Sequence, residues 1–358
     1  SYARVSGQAY EASLLFDMGG VILMPLKRQL EKRRLQSARY QAASDVLEHI
    51  ANTRRGWINA VAAKQQTALM LKTLESAEAG NNLTRQMSAL GHSSVIEAAD
   101  SEIFLSGMRT SLTRQRLAES AARESLIRQL GLWGQQARSL KLPDRLPELP
   151  PNSIDIESVE GQAIENRLDV RMANMNIEGL AKNLKLTRLN PFFSAIELGP
   201  VMEKGEGEIN RGYELEFRIP IFDTGDIKTQ KAKAIYDQAQ AQAEVTAISA
   251  ASSARQALKS YRSNLEIAKH YRDRVLPLRE RVSQEQLLMF NGMLISVFDL
   301  LDDLRSSMNM ESSYVDSIKD FWIADADLQQ ALTGSGMPGM NFEAASMMPS
   351  SAADGGGH

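Results

Sequence analysis

The stretch YELEFRIPIFDTG, residues 213–225, alternates Tyr213, Leu215, Phe217, Ile219 and Ile221 with Glu214, Glu216, Arg218 and Pro220. A period of two puts each set on its own face of a β-strand. Upstream, 194–202 reads as a weaker partner strand, with Lys204-Gly205-Glu206-Gly207 and Asn210 as the turn, so 192–222 is expected to form a β-hairpin. A lone hairpin cannot bury its apolar face, and open strand edges cannot sit in lipid. If these strands enter a membrane, with Tyr213, Leu215, Phe217, Ile219 and Ile221 toward lipid, they must close with strands of other chains.

Everything around the hairpin reads as helix. Residues 26–90 hold no proline, and Leu47, Ile50, Trp57, Ile58, Val61, Ala68 and Leu71 recur at spacings of three and four. A helix of that length spans ~100 Å at 1.5 Å per residue. It is expected to break at Leu90-Gly91-His92, and Ser94 with Glu97 has the spacing of a capping box opening a second helix to about 132. Four prolines in 141–151 (KLPDRLPELPP) make an extended connector. Helix is expected again over 156–189.

After the hairpin, 232–257 carries ten alanines, which lets helices approach closely. Leu265, Ala268, Tyr271, Val275, Leu278 and Val282 then follow a 3.5-residue seam, with a kink expected at Pro277. Asn291-Gly292 ends this helix. Ser296-Val297-Phe298-Asp299 opens the last one, with Leu301, Leu304, Met308, Val315, Ile318 and Trp322 on one face. From about 333 the composition of Gly, Ser, Ala and Met reads as a disordered tail.

The two halves repeat. Pro25 and Pro220 each precede a long helix, carrying Ala38-Arg39-Tyr40-Gln41-Ala42 and Ala234-Ile235-Tyr236-Asp237-Gln238-Ala239, at an offset of about 195 residues. The tips, Ser94-Val95-Ile96-Glu97 and Ser296-Val297-Phe298-Asp299, repeat at 202. Residues 10–18 (YEASLLFDM) then read as the end of a strand equivalent to 213–221. The expected organisation is a first repeat over 1–140, a connector over 141–155, a second repeat over 156–334 and a tail over 335–358. A chain that starts at Ser1 reads as processed or trimmed, and the first repeat lacks the leading helix that 156–189 gives the second.

Composition narrows the function. Cysteine is absent, which removes disulfides, thiolate metal sites and cysteine nucleophiles. A net charge of −3 gives no footprint for nucleic acid. No apolar run reaches the length of a transmembrane helix, Val21-Ile22-Leu23-Met24 being among the longest, whereas a β-barrel gives only short alternating signals. His49, His92, His270 and His358 are scattered, and no nucleophile triad or phosphate loop is present, so the chain does not read as an enzyme.

The sequence resembles the TolC-like outer-membrane efflux channels along nearly its whole length. Three elements carry the resemblance. Ala163-Ile164-Glu165-Asn166-Arg167-Leu168-Asp169 is similar to the family's A-x-x-x-R-P-D, with Leu168 in place of Pro; Ile219-Pro220-Ile221-Phe222-Asp223-Thr224-Gly225 is similar to its P-L-F-D-x-G strand exit; the two glycine-containing tips are the third. The first-half exit, Met24-Pro25-Leu26-Lys27, lacks the F-D-x-G part.

The fold class implied is mainly α with a small β part. Long coiled-coil helices would form an α-barrel tunnel in a homotrimer, and β-hairpins would contribute to a shared 12-stranded outer-membrane β-barrel. The place implied is the outer membrane of a Gram-negative bacterium, reaching into the periplasm. The partners implied are outer-membrane lipid, a periplasmic adaptor and an inner-membrane pump. The alternative is a soluble periplasmic coiled-coil adaptor or scaffold, although the lipoyl-like β modules of adaptors are missing.

Val297-Phe298-Asp299-Leu300-Leu301-Asp302 is similar to the family's V-D-V-L-D at the periplasmic entrance, which implies that Asp299 and Asp302 form acidic rings in a trimer. On its own, Asp299 equally fits an acid favouring the helix dipole. Phe290 stands where the family often has a gate tyrosine, Glu97 where it has an acidic partner, and Ile295 where a gate arginine can occur. An apolar latch of Phe290, Met293 and Ile295 is therefore expected. Gly91, Ser94, Gly292 and Ser296 are implied adaptor contacts at the tips.

No resident cofactor is expected. Two readings stand for the tail: a low-complexity ending, or Cu(I) ligands in Met337, Met340, Met347, Met348 and His358, since thioether and imidazole suit that ion. The second points to heavy-metal cations such as copper as cargo, with drugs the other class.

Overall fold

The computed structural model describes residues 10–13, 16–154, 158–193, 196–204, 209–217 and 226–334. Strands β1 (Tyr10–Ser13) and β2 (Phe16–Asp17) lead into helix α1 (Met18–Ala89). There follow α2 (Val95–Gln129), the short α3 (Gln135–Ser139), α4 (Val159–Asn166) and α5 (Leu168–Phe193). Strands β3 (Ile196–Lys204) and β4 (Ile209–Phe217) precede α6 (Asp226–His270), α7 (Leu276–Asn291) and α8 (Val297–Thr333). At 72 residues, α1 is ~108 Å long.

It starts at Met18, eight residues before the expected Leu26. Pro25 lies inside it because the ring's fixed φ is helical and costs one backbone hydrogen bond near the helix start.

The hairpin forms antiparallel, pairing Ile196 with Phe217 and Lys204 with Ile209. Asn210 pairs with Glu203 inside β4, so it is not a turn residue. The expected turn 205–207, together with Ile219, Ile221 and the strand exit, lies outside the described residues. β1 and β2 share one register on the other side of β3, Tyr10 opposite Lys204 and Asp17 opposite Glu197. Pro200, which has no N–H for the ladder, sits on β3 between the stretches that pair with β1 and β2. The sheet order is therefore β1/β2–β3–β4, with β4 unpaired on its outer side among the described residues.

The helices form a layer, and the connector maps its order. The Arg123 guanidinium of α2 donates to Leu140 O (2.7 Å), and Lys64 Nζ of α1 donates to Leu142 O (2.8 Å). Further along, Leu146 N donates to Gln65 Oε1 of α1 (3.1 Å). Trp322 Nε1 of α8 then donates to Pro147 O (3.0 Å), and Lys269 Nζ of α6 to Pro151 O (2.6 Å). The strap crosses α2, α1, α8 and α6 in turn, which leaves α2 at one edge of the layer and α6 with α7 at the other.

Beneath the strap lies the main core. Ile58, Val61, Leu146, Leu258, Tyr261, Leu265, Ile318 and Phe321 are among its members, with the Tyr261 and Phe321 rings 5.3 Å apart. Burial pushes the Tyr261 hydroxyl pKa up. Toward the tips the buried apolar cluster shrinks to Ala77, Leu105 and Met108. Polar residues take over the α1 seam there: Thr73, Asn81 and Thr84 are buried, Thr73 and Thr84 donating to carbonyls of their own helix.

Three expectations change. Ile50, Ala68 and Leu71 are exposed, because one chain buries only a narrow face of so long a helix. The expected helix over 156–189 is interrupted at Arg167, whose backbone is extended (φ −64°, ψ 133°). Its guanidinium, 2% exposed, binds both Asp169 oxygens (3.0 and 2.7 Å), Ser253 Oγ (2.9 Å) and Ala331 O (3.3 Å), and that buried set of bonds holds the break. Third, the seam of α6 does not continue through Leu278 and Val282. A π-helical turn, Tyr271–Val275, precedes Pro277, and its extra residue rotates everything after it. Leu265 and Ala268 are therefore buried, whereas Leu278 and Val282 face out.

Candidate functional site

The two helical hairpins end in tips built from the same hydrogen bonds. At the first, His92 N donates to Met87 O (2.8 Å) and Gly91 takes the left-handed position (φ 77°). At the second, Leu294 N donates to Met289 O (2.9 Å), but the left-handed residue is Met293 (φ 59°) rather than Gly292. A side chain in that conformation is strained by Cβ contact with the following carbonyl. Met293 is 94% exposed, so no packing offsets the strain within the chain.

Both following helices carry complete capping boxes. Ser94 N donates to Glu97 Oε2 (2.8 Å) and Glu97 N donates to Ser94 Oγ (3.1 Å). Ser296 N and Ser296 Oγ each donate to Asp299 Oδ2 at 2.8 Å, and Asp299 N donates to Ser296 Oγ (3.3 Å). The Ser296 hydroxyl, then its backbone amide, hold the Asp299 carboxyl below its ordinary pKa. Within one chain Glu97 and Asp299 are thus occupied as caps, as are Ser94 and Ser296.

The acids of the last helix take three different roles. Asp302, with its side chain 77% exposed, meets only Arg305 at 3.6 Å. Asp303 is buried: it accepts from Ser283 Oγ (2.7 Å) and pairs closely with Arg279, whose guanidinium also reaches Asp303 O (2.8 Å). This clamp ties α7 to α8, and α7 buries none of its own residues. The spacing signal was present, since positions 279, 283 and 303 face each other across a hairpin bend near 292.

Two further contacts hold α8 to the first hairpin near the tips. The Leu301 side chain fills the space over Gly80, where a Cβ would collide with it, and the Arg305 guanidinium lies 4.8 Å over the Phe104 ring. Phe290 and Ile295 are half-buried, while Met293 extends into solvent. Gly91, Ser94, Gly292 and Ser296 are all exposed at the end of the molecule. Met337, Met340, Met347, Met348 and His358 lie outside the described residues. Among the described residues no group of His, Asp and Glu is placed to hold a metal ion, and no helix is long and apolar enough to cross a membrane.

At the level of the strap, Arg54 donates to Asp325 (2.9 Å) and Arg55 to Asp327 (2.7 Å), joining α1 to α8. Burial pushes the Asp325 carboxyl pKa up, against the opposing pull of Arg54 and Gln329.

No protein-family profile matches the chain, and no curated protein does. Solved structures do. The outer-membrane channel OprN superposes with a TM-score of 0.76 at 16% identity, over 91% of this chain and 76% of that one. The Campylobacter jejuni CmeC outer membrane channel gives 0.76 at 16%, over 92% and 71%. The open state of the Neisseria gonorrhoeae MtrE outer membrane channel gives 0.72 at 18%, over 91% and 76%. The chain has the TolC-like channel fold. The long helices described above match the helical part of that fold.

Proposed function

We propose that this chain is one third of an outer-membrane channel-tunnel that reaches into the periplasm and passively exports substrate in a tripartite efflux pump. The observation that carries the reading is a layer with two unfinished edges. At one edge α2 presents Ile96, Ile103 and Leu117, spaced by seven and then fourteen residues and exposed. At the other, α7 presents Leu278, Val282 and Met289, also exposed. The two helices run in opposite directions relative to the tips, so the α2 edge of one copy can meet the α7 edge of the next as an antiparallel seam. Burying a Leu or Ile side chain is worth roughly 1.5–3 kcal/mol, so several rungs on each seam favour closure strongly. The sheet asks for the same closure, because open strand edges have no partners in lipid. Three copies closing edge to edge give a homotrimer with a shared β-barrel above and a helical tunnel below.

In that ring the tips converge, and each acid becomes a ring of three. Asp299 spends one carboxylate oxygen on its cap, whereas Asp302 meets only a distant Arg305, so Asp302 carries most of the selectivity for cations. Phe290 and Ile295 form the apolar latch beside it, and the exposed tip residues receive the adaptor. An acidic mouth suits cationic cargo, whether drugs or heavy-metal ions. Cu(I) titration of the full chain against one ending at Ala331 separates the copper reading of the tail from its absence.

The test of the channel reading is planar-bilayer recording of Asp302→Ala and Asp299→Ala. Asp302→Ala is expected to lower the cation-to-anion permeability ratio severalfold, and Asp299→Ala to change it less. Equal permeability ratios for wild type and Asp302→Ala would overturn the ring assignment.

A further inference from the structure

The strap level of the molecule carries an exposed tryptophan that the tunnel reading does not use. Trp133 is 80% exposed. It stands between Gly131 (φ 65°) and Gly134 (φ 57°), in a turn fixed by Gly131 N to Arg128 O (3.1 Å), Leu132 N to Ile127 O (3.1 Å) and Gln136 N to Trp133 O (3.2 Å). Both glycines occupy left-handed positions that a side chain would strain, so the turn is built to hold the indole outward. Around it the chain is basic. Arg128, Arg138 and Lys141 lie nearby, no acid occurs from Ser125 to Pro143, and none of the three pairs with an acid among the described residues. Leu130 is exposed beside it.

The opposite edge carries the complement at the same height. The contacts give that height step by step. The Gln129 side chain fills the notch at Gly56, and the adjoining Arg54 and Arg55 meet Asp325 and Asp327. Ala331 O, one turn on, meets Arg167, which also meets Ser253. The adjoining Arg255 meets Glu160 of α4 (3.1 Å). The end of α2 and helix α4 therefore lie in one belt, on the α2 edge and the α6 edge respectively. α4 reads VEGQAIEN: two acids, no cation, with Ile164 and Glu165 exposed.

We infer that Trp133 docks on α4 of a neighbouring copy, with its indole against Ile164 and Arg138 and Arg128 facing Glu165 and Glu160. This rests on the edge-to-edge closure proposed above and adds a second, separate contact to it. Trp and Arg are the residues that concentrate interface energy, and the turn's own hydrogen bonds hold the backbone on either side of Trp133 before docking. Three such contacts make a collar at the belt. The collar fixes the diameter of the tunnel at the strap, so that opening at the tips is confined to the helices below it.

A chain without cysteine makes the test direct. Trp133→Cys with Ile164→Cys is placed in one chain, and Ile103→Cys with Val282→Cys in another as a probe of the α2–α7 seam. Each is oxidised in detergent-extracted protein whose native mass is measured alongside. The expected result is covalent dimers and trimers from both pairs. Arg138→Glu should lower the yield of the belt pair severalfold, and adding Glu165→Arg should restore it. A trimeric mass with linkage at the seam pair alone would overturn the collar and leave the tunnel standing. A monomeric mass with linkage from neither pair would overturn both.

Discussion

The belt, crossed by the strap over α1, α2, α6 and α8, and the tips, made from α1, α2, α7 and α8, are held together in opposite ways. At the belt a continuous apolar core is locked by ion pairs: Arg167 with Asp169, which is buried, and the partly exposed pairs of Arg54 and Arg55 with Asp325 and Asp327. At the tips the buried apolar residues are few, Ala77, Leu105, Met108, Val297 and Leu301 among them, α7 buries nothing, and the seam runs through Thr73, Asn81 and Thr84. There the chain relies on single contacts: Arg279 with Asp303, Leu301 over Gly80, and Arg305 over Phe104. A region with few buried apolar contacts opens at low free-energy cost, whereas a packed core does not. The difference separates a fixed half from a movable half within one continuous set of helices.

The largest effect expected is at the belt. Arg167→Ala removes the guanidinium that binds both carboxylate oxygens of the buried Asp169 and should cost about 3–5 kcal/mol, measured by denaturant unfolding. A loss below 1 kcal/mol would mean that the belt is not locked by this pair. At the tip, Asp303→Asn removes the charge that holds Arg279 and should cost about 1–3 kcal/mol locally. Hydrogen exchange would read it as faster exchange over 276–291 with no change over 54–62. Acceleration spread evenly over both regions would erase the distinction between them.

Smaller still is Met293→Gly, which removes the left-handed strain of the second tip and should stabilise it by about 1–2 kcal/mol. Gly91 already fills the equivalent position of the first tip, so Gly91→Ala should destabilise by a similar amount. The smallest effect is the pH response of the Asp299 cap. Its carboxyl pKa is lowered by Ser296, so the cap's contribution is fully present above the ordinary aspartate pKa of 3.8 and is lost as pH falls through the lowered folded value. Amide protection at 297–300 should decline only in that acidic window, and a decline at neutral pH would point to another group.

Much of this contrast was readable from residues. The hairpin showed in the alternation of 213–217, the tips in Gly91, Ser94, Gly292 and Ser296, and the strap in its prolines. What was not readable depended on phase and partners. The π turn at 271–275 leaves no mark on the heptad count, yet it turns Leu278 and Val282 outward. The break at Arg167 looked like continuous helix because Leu168 fits one, and only the buried guanidinium bonds explain the bend. The burial of Asp303, next to the exposed Asp302, follows from the Arg279 side chain opposite, which the spacing of the acids does not reveal.

The central claim is that one chain is an unfinished arc whose edges are completed by two further copies in the outer membrane. Native mass determination of the full chain, extracted in detergent from purified outer membranes, tests it most directly. A single species of three chains, released only by detergent, is the result expected. A monomer recovered in the soluble periplasmic fraction would contradict it and favour the scaffold alternative.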